Sequence, residues 1–244
     1  MPAAALRALI ETRVKERLGG RFPAALGWRP RPAAQTALTG IPEVDALTGG
    51  LPRGALTEVC GPASSGRTAL LLSLLAEFTR RQELCVLVDA GDSFDPASAV
   101  AAGVELGRVL WVRCSTGAAA LGCVEQALRA ADLVLQASGF GLVALDLGDV
   151  PAATARRVPL TSWFRFRRAV EETPAALLLL TQEALTGTCA ALTLQLAATA
   201  PTESPGLPAH ARLLGGFSVA VEVARSASAR RPGSGMKAAF ATDL

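Results

Sequence analysis

The chain has 244 residues, 50% of them hydrophobic and 18% charged, and its 24 basic and 21 acidic residues leave a formal net charge of +3. A mean hydropathy of +0.36 excludes a disordered chain and supplies ample material for a core. The apolar residues come in short bursts such as Ala175–Leu180, well under the roughly 20 that a membrane-spanning helix needs, so no membrane association is expected.

Five cysteines, at positions 60, 85, 114, 123 and 189, stand far apart without a CxxC pair, and the one histidine is His210. This argues against a zinc site or a disulfide framework and suits a reducing cytoplasm. The charged N-terminus, with Arg7, Glu11, Arg13, Lys15, Glu16 and Arg17, does not read as a secretory signal. Basic residues cluster: residues 1–35 hold seven basic and two acidic side chains, and residues 151–168 hold Arg156, Arg157, Arg165, Arg167 and Arg168 with no acid. Such clusters suit a polyanion or an acidic partner, or simply a solvated surface.

In chain order, Leu6, Leu9, Ile10 and Val14 recur at helical spacing and predict an amphipathic helix over 3–18, ended by Gly19-Gly20. A Pro- and Arg-rich linker follows over 21–35. Strands are then predicted at 56–60, 84–88, 109–113, 142–145 and 176–180, and helices at 68–80, 96–102, 118–137 and 161–172. Apolar strands alternating with helices define an α/β fold, a mostly parallel sheet covered by helices on both faces. Later strands are predicted at 192–196 and 218–223, with a Pro- and Gly-rich connection over 200–216. Residues 226–239 read as a loose tail. The chain thus divides into an N-terminal helix and linker (1–35), a core (36–224) and a flexible basic tail (225–244).

Gly61-Pro-Ala-Ser64-Ser65-Gly66-Arg67-Thr68 follows a strand and opens a helix, the context of a phosphate-binding P-loop. Backbone N–H groups there turn inward around phosphate oxygens, and the helix N-terminus adds its positive end. Thr68 stands where a hydroxyl ligates Mg²⁺. The usual lysine is replaced by Arg67, which keeps the charge on a bulkier planar fork. Asp146, at the end of the strand over 142–145, stands where a Walker B carboxylate holds the Mg²⁺ shell.

From Gly40-Ile-Pro-Glu-Val-Asp45 through Gly49-Gly-Leu-Pro-Arg-Gly54, Glu58-Val-Cys-Gly-Pro62, Ser64-Ser-Gly66, Val88-Asp-Ala90 and Asp95-Pro96, the chain resembles the RecA recombinase core. The segment Val158–Ala169, followed by Ala175–Leu180, looks most like the shorter ImuA-type proteins that accompany error-prone polymerases. The resemblance implies a RecA-like P-loop fold and a nucleotide site at Gly61, Ser64, Ser65, Gly66, Arg67, Thr68, Asp146 and Gln182, with ATP and Mg²⁺ as cofactors and Thr68 and Asp146 serving the metal. Gln182 would sense the γ-phosphate. The glutamate that activates the attacking water in the recombinase would fall at Gly91, two residues beyond Asp89, so hydrolysis is expected to be weak or absent.

The segment after Asp146 carries Arg156 and Arg157, and the one after Gln182 is brief and without Lys or Arg. On a helical wheel Trp163, Phe166, Ala169 and Val170 share one face, with Arg165, Arg167 and Arg168 on the other and Phe164 among the arginines. Arg156, Arg157, Phe164, Arg165, Arg167 and Arg168 are the candidate contacts to a partner or DNA. The resemblance implies a cytoplasmic accessory protein of DNA repair and SOS-induced translesion synthesis. A Y-family polymerase homologue and an error-prone polymerase would be its partners, with single-stranded DNA and a second copy of the chain as further ones. A DNA-dependent ATPase of recombinase type and a non-enzymatic cell-division inhibitor on the same fold are the alternatives.

Overall fold

The structure, a computed structural model, describes residues 35–114, 120–137, 139–171, 173–203, 214–227 and 237–243. The predicted helix over 3–18, the linker up to residue 34 and His210 lie outside the described residues.

A short strand β1 (Thr36–Ala37) pairs with β2 (Leu51–Pro52) around helix α1 (Pro42–Thr48). Pro42 pre-sets the first turn of α1 and Gly49 ends it in the left-handed region, the usual division of labour between these residues. Then come β3 (Ala55–Cys60), α2 (Arg67–Arg80), β4 (Cys85–Asp89), α3 (Pro96–Ala101) and β5 (Val109–Arg113). They are followed by α4 (Ala120–Ala137), β6 (Leu142–Asp146), α5 (Ala152–Ala155), α6 (Leu160–Glu171), β7 (Ala176–Thr181), β8 (Leu192–Glu203), β9 (Leu214–Ser226) and β10 (Lys237–Asp243). Asp95 caps α3 by accepting from the Ala97 and Ser98 amides, which fixes the turn that the Asp-Pro pair predicts.

The main sheet runs β10-β9-β8-β3-β7-β6-β4-β5. It is parallel from β5 to β8 and antiparallel across β8, β9 and β10. The inner parallel strands are buried along their length because helices cover both faces. On one face α2 packs Leu70, Leu71, Leu74, Leu75 and Phe78 onto the sheet. On the other, α4 supplies Val124, Ala127 and Ala131, and α6 supplies Trp163, Phe166 and Val170. The antiparallel part has the period-two pattern of a sheet with one face buried: Leu194, Leu196, Val219, Val221 and Val223 are buried, while Gln195 is exposed.

Two expectations are corrected here. The connection over 200–216 is in part sheet: β8 continues to Glu203 and β9 starts at Leu214, with Ala200 opposite Ser218 and Thr202 opposite Gly216. Pro201 is tolerated there because β3 pairs only with Leu192–Gln195, so this stretch of β8 has no ladder to β3 to break. The loose tail is likewise not wholly loose. Residues Lys237–Asp243 form β10 on the free edge of β9, with Phe240 opposite Val219 and buried. An open strand edge offers unpaired N–H and C=O groups to whatever chain reaches it.

All five cysteines are buried thiols. Burial pushes the Cys60 thiol up to about 11 and Cys85 up to about 12, so neither is a ready nucleophile. Among the described residues no helix is long and apolar enough to cross a membrane.

Candidate functional site

The parallel register brings the carboxyl ends of β3, β4, β6 and β7 to one edge, with Asp89 beside Asp146 and Cys60 beside Thr181. Ligands of open α/β sheets bind at this edge. The loop after β3 closes over it in a shape that only glycine permits at two points. A Cβ on Gly61 would lie 2.5 Å from the Leu196 carbonyl oxygen, and one on Gly66, whose φ is +90°, would lie 2.5 Å from a Val219 methyl. Ser64 takes a left-handed φ of 59° between them.

No side chain caps the N-terminus of α2, so its first amides face the loop with the positive end of the helix dipole. Two polar atoms there are buried without a partner: Ser65 Oγ and Arg67 Nη1. Arg67 is only 9% exposed. A buried donor left unpaired costs about 1–3 kcal/mol, so these orphans fit a phosphate that would satisfy them. Thr68, by contrast, is exposed at the start of α2, where its hydroxyl is open to a cation.

Asp146 accepts a hydrogen bond from the Gly148 amide at 2.7 Å. Burial, aided by the charges of Asp89 and Asp149, pushes its carboxyl up to about 6 against the opposing pull of that amide and of Arg67. Arg67 and Asp146 meet over Gly148: a Cβ there would lie 2.5 Å from Arg67 Nη1 and 2.9 Å from Asp146 Oδ1. The extra bulk of arginine thus lies in space that a side chain at 148 would occupy. Gln182 donates from Nε2 to the Gly148 carbonyl at 3.1 Å, tying the end of β7 to the same turn. Gly61, Ser64, Ser65, Gly66, Arg67, Thr68, Asp146 and Gln182 therefore converge at one end of the sheet. They form a set that could hold a nucleotide phosphate and a divalent cation.

Sequence reading missed several residues of this edge. Asp89 is buried and accepts from the Gly91 and Phe94 amides and from Trp111 Nε1, so it fixes the loop after β4. Glu58 is fully buried and accepts from Leu185 N at 2.6 Å, from Thr186 N at 3.3 Å and from Thr186 Oγ1 at 2.6 Å. It tethers the short segment between Gln182 and β8. The signal was a lone acid inside an apolar strand. Gly148 and Asp149 carried no local signal.

Three of the basic candidates are held in ion pairs. Arg156 pairs with Glu183, on the segment after β7. On α6, Arg165 pairs with Asp132 of α4 at 3.0 Å, and Arg167 pairs with Glu171 at 3.0 Å. Arg157 and Arg168 are exposed. Trp163, Phe166 and Val170 are buried, Ala169 is half-buried, and Phe164 is 48% exposed, as the helical wheel predicts. Exposed ion pairs of this kind contribute about 0–1 kcal/mol, so they open readily to a better acidic partner.

Comparison with known proteins gives the family of the chain. The chain belongs to the RecA N-terminal domain family, whose sequence profile matches residues 12–153. It is 35% identical to Protein RecA of Rickettsia africae over 123 residues, covering 50% of this chain and 34% of that protein. It is 36% identical to Protein RecA of Synechococcus elongatus over 138 residues, covering 55% of this chain and 39% of that protein. The match spans little more than a third of the length of these relatives. The crystal structure of the RadB recombinase superposes with a TM-score of 0.61 at 20% identity, over 83% of this chain and 94% of that one, a likeness of fold.

Proposed function

We propose that this chain is a nucleotide-binding accessory protein of DNA repair, acting in SOS-induced translesion synthesis in the cytoplasm. It holds ATP with Mg²⁺ at the loop after β3. The observation that carries the nucleotide reading is the buried, unpartnered Arg67 Nη1 at the uncapped start of α2, beside Asp146. Arg67 and Ser65 take phosphate oxygens, and Thr68 and Asp146 serve the cation. Mg²⁺ would supply charge neutralisation across the β- and γ-phosphates.

Two features favour an accessory role over a DNA-dependent ATPase of recombinase type. The segment between Gln182 and β8 is short and held down by Glu58, whereas a recombinase needs a long loop there to part stacked bases. The lysine of the phosphate loop is an arginine. The exposed Phe164 with Arg165 and Arg168 is the proposed docking surface for a Y-family polymerase homologue or an error-prone polymerase. Arg156, Arg157 and Arg167 are further proposed contacts to an acidic partner or single-stranded DNA, and self-association of the chain is compatible with the reading.

Titration of the chain with a fluorescent ATP analogue tests the nucleotide site. Mg²⁺-dependent binding that weakens at least about tenfold, or about 1.4 kcal/mol, in Arg67→Ala is expected. Equal affinity in the variant would overturn the assignment of Arg67.

A further inference from the structure

Four carboxylates stand at the carboxyl ends of β4 and β6 and in the turns that follow: Asp89, Asp92, Asp146 and Asp149. Three are engaged. Asp89 is buried and accepts from two loop amides and the Trp111 indole. Asp92 grips Arg113 through both oxygens, at 2.6 and 2.7 Å, and Arg113 in turn lies over the Trp111 ring at 4.7 Å. Asp146 accepts the Gly148 amide and is the carboxylate assigned above to the cation.

Asp149 is different. It is exposed and has no hydrogen-bond or ion-pair partner among the described residues. Its place is defined by the missing side chain across the cleft. A Cβ built on Gly91 would lie 2.9 Å from Asp149 Cβ and 3.1 Å from its Oδ2. The β6 turn therefore sends a carboxylate into the volume that a side chain at 91 would fill. Residue 148, next to it, is the one over which the orphaned Nη1 of the nine-tenths-buried Arg67 lies. A free carboxylate thus stands next to the turn at 148, where the buried guanidinium of Arg67 has one nitrogen, Nη1, without a hydrogen-bond partner.

We propose that Asp149 is the catalytic base of a slow ATPase in this chain, replacing from the opposite side of the cleft the carboxylate that residue 91 lacks. The inference rests on the nucleotide reading above. In the step, the oxygen of a water bound to Asp149 forms a bond to the γ-phosphorus. The bond from that phosphorus to the β,γ-bridging oxygen breaks, and ADP leaves with the electron pair. The water proton passes to the Asp149 carboxylate and from there to solvent. The exchange of glutamate for glycine at 91 is thereby a relocation of the base and not its loss.

Phosphate release and ATP affinity of the full chain with Mg²⁺-ATP provide the test. The unmodified chain is expected to bind ATP and turn it over. Asp149→Asn should lower kcat about 10²-fold, the lower end of general-base effects, with ATP affinity and melting temperature unchanged. Asp149→Glu should keep most of the activity. The double variant Gly91→Glu with Asp149→Gly removes the Cβ as well as the carboxylate, clears the collision at 91, and should regain turnover that Asp149→Gly alone lacks. Binding without turnover in the unmodified chain, or equal kcat in Asp149→Asn, overturns the inference and leaves the nucleotide site standing. No ATP binding by the unmodified chain overturns both.

Discussion

Replacing Gly148 by alanine tests whether Arg67 is held in place by an absent side chain. The new methyl carbon would sit 2.5 Å from Arg67 Nη1, 2.9 Å from Asp146 Oδ1 and 3.1 Å from Arg67 Cζ. Ordinary contacts between such atoms lie near 3.5 Å, so the guanidinium must retreat by about 1 Å. It cannot do so freely, because Arg67 is 9% exposed and lies within the fold. Overpacking of this kind costs about 1–3 kcal/mol. A lysine at 67 ends in a compact ammonium without the planar fork and should leave room for the methyl. A double-mutant cycle over Gly148→Ala and Arg67→Lys, read by urea unfolding and by ATP-analogue affinity, should therefore show a coupling of about 1–2 kcal/mol. Gly148→Ala should be costly in the arginine protein and less costly in the lysine one, where only the 2.9 Å approach to Asp146 Oδ1 remains. Equal cost in both backgrounds would refute the pairing of Gly148 with Arg67.

Asp146→Asn should raise stability and weaken Mg²⁺-dependent nucleotide binding together. The folded-state pKa is raised to about 6, so the folded chain binds more protons than the unfolded one between about pH 4 and pH 6. The stability present below about pH 4 is then lost as pH rises through 6, by about 1–3 kcal/mol at 1.36 kcal/mol per pKa unit. Thermal melts at pH 4 and pH 8 should differ less in the variant than in the parent, and an unchanged difference would count against this reading. Glu58→Ala strands two buried or half-buried amides and the Thr186 hydroxyl. It should cost about 3 kcal/mol and open the chain to protease between residues 183 and 190; a cleavage pattern like that of the parent would show that Glu58 is not the tether. Phe164→Ala should leave the melting temperature within the range of a surface substitution, about 0.5 kcal/mol, while abolishing capture of the polymerase proposed above as its partner. A large drop in melting temperature would place Phe164 in the core instead.

Much of the fold was legible because its signals are local. The strand–glycine loop–helix order around Gly61–Thr68, the apolar strands of the parallel sheet, the Asp95-Pro96 start of α3 and the 3.6-residue stripe of α6 each lie within a single window of the chain. The strands predicted at 56–60, 84–88, 109–113, 142–145 and 176–180 and the helices at 68–80, 96–102 and 161–172 are found with ends shifted by about a residue, and the helix at 118–137 is found over its described residues from 120. β10 escaped because alanine has low strand propensity and Phe240 alone supplies a large inward side chain. Its strand character comes from the open edge of β9, a partner that its own sequence does not reveal.

The sequence by itself determined that this chain builds a RecA-like parallel sheet with a phosphate loop at its carboxyl edge, and that the lysine and glutamate expected there are an arginine and a glycine. Only the tertiary structure decided what those exchanges mean. It set Gly148 under Arg67, brought Asp149 into the space beside Gly91, and hung the segment after β7 on Glu58, whose partner Thr186 is 128 residues away. Periodicity and propensity act between neighbours in the chain, whereas a side chain's free volume and its hydrogen-bond partners are set by parallel strands that place distant residues side by side.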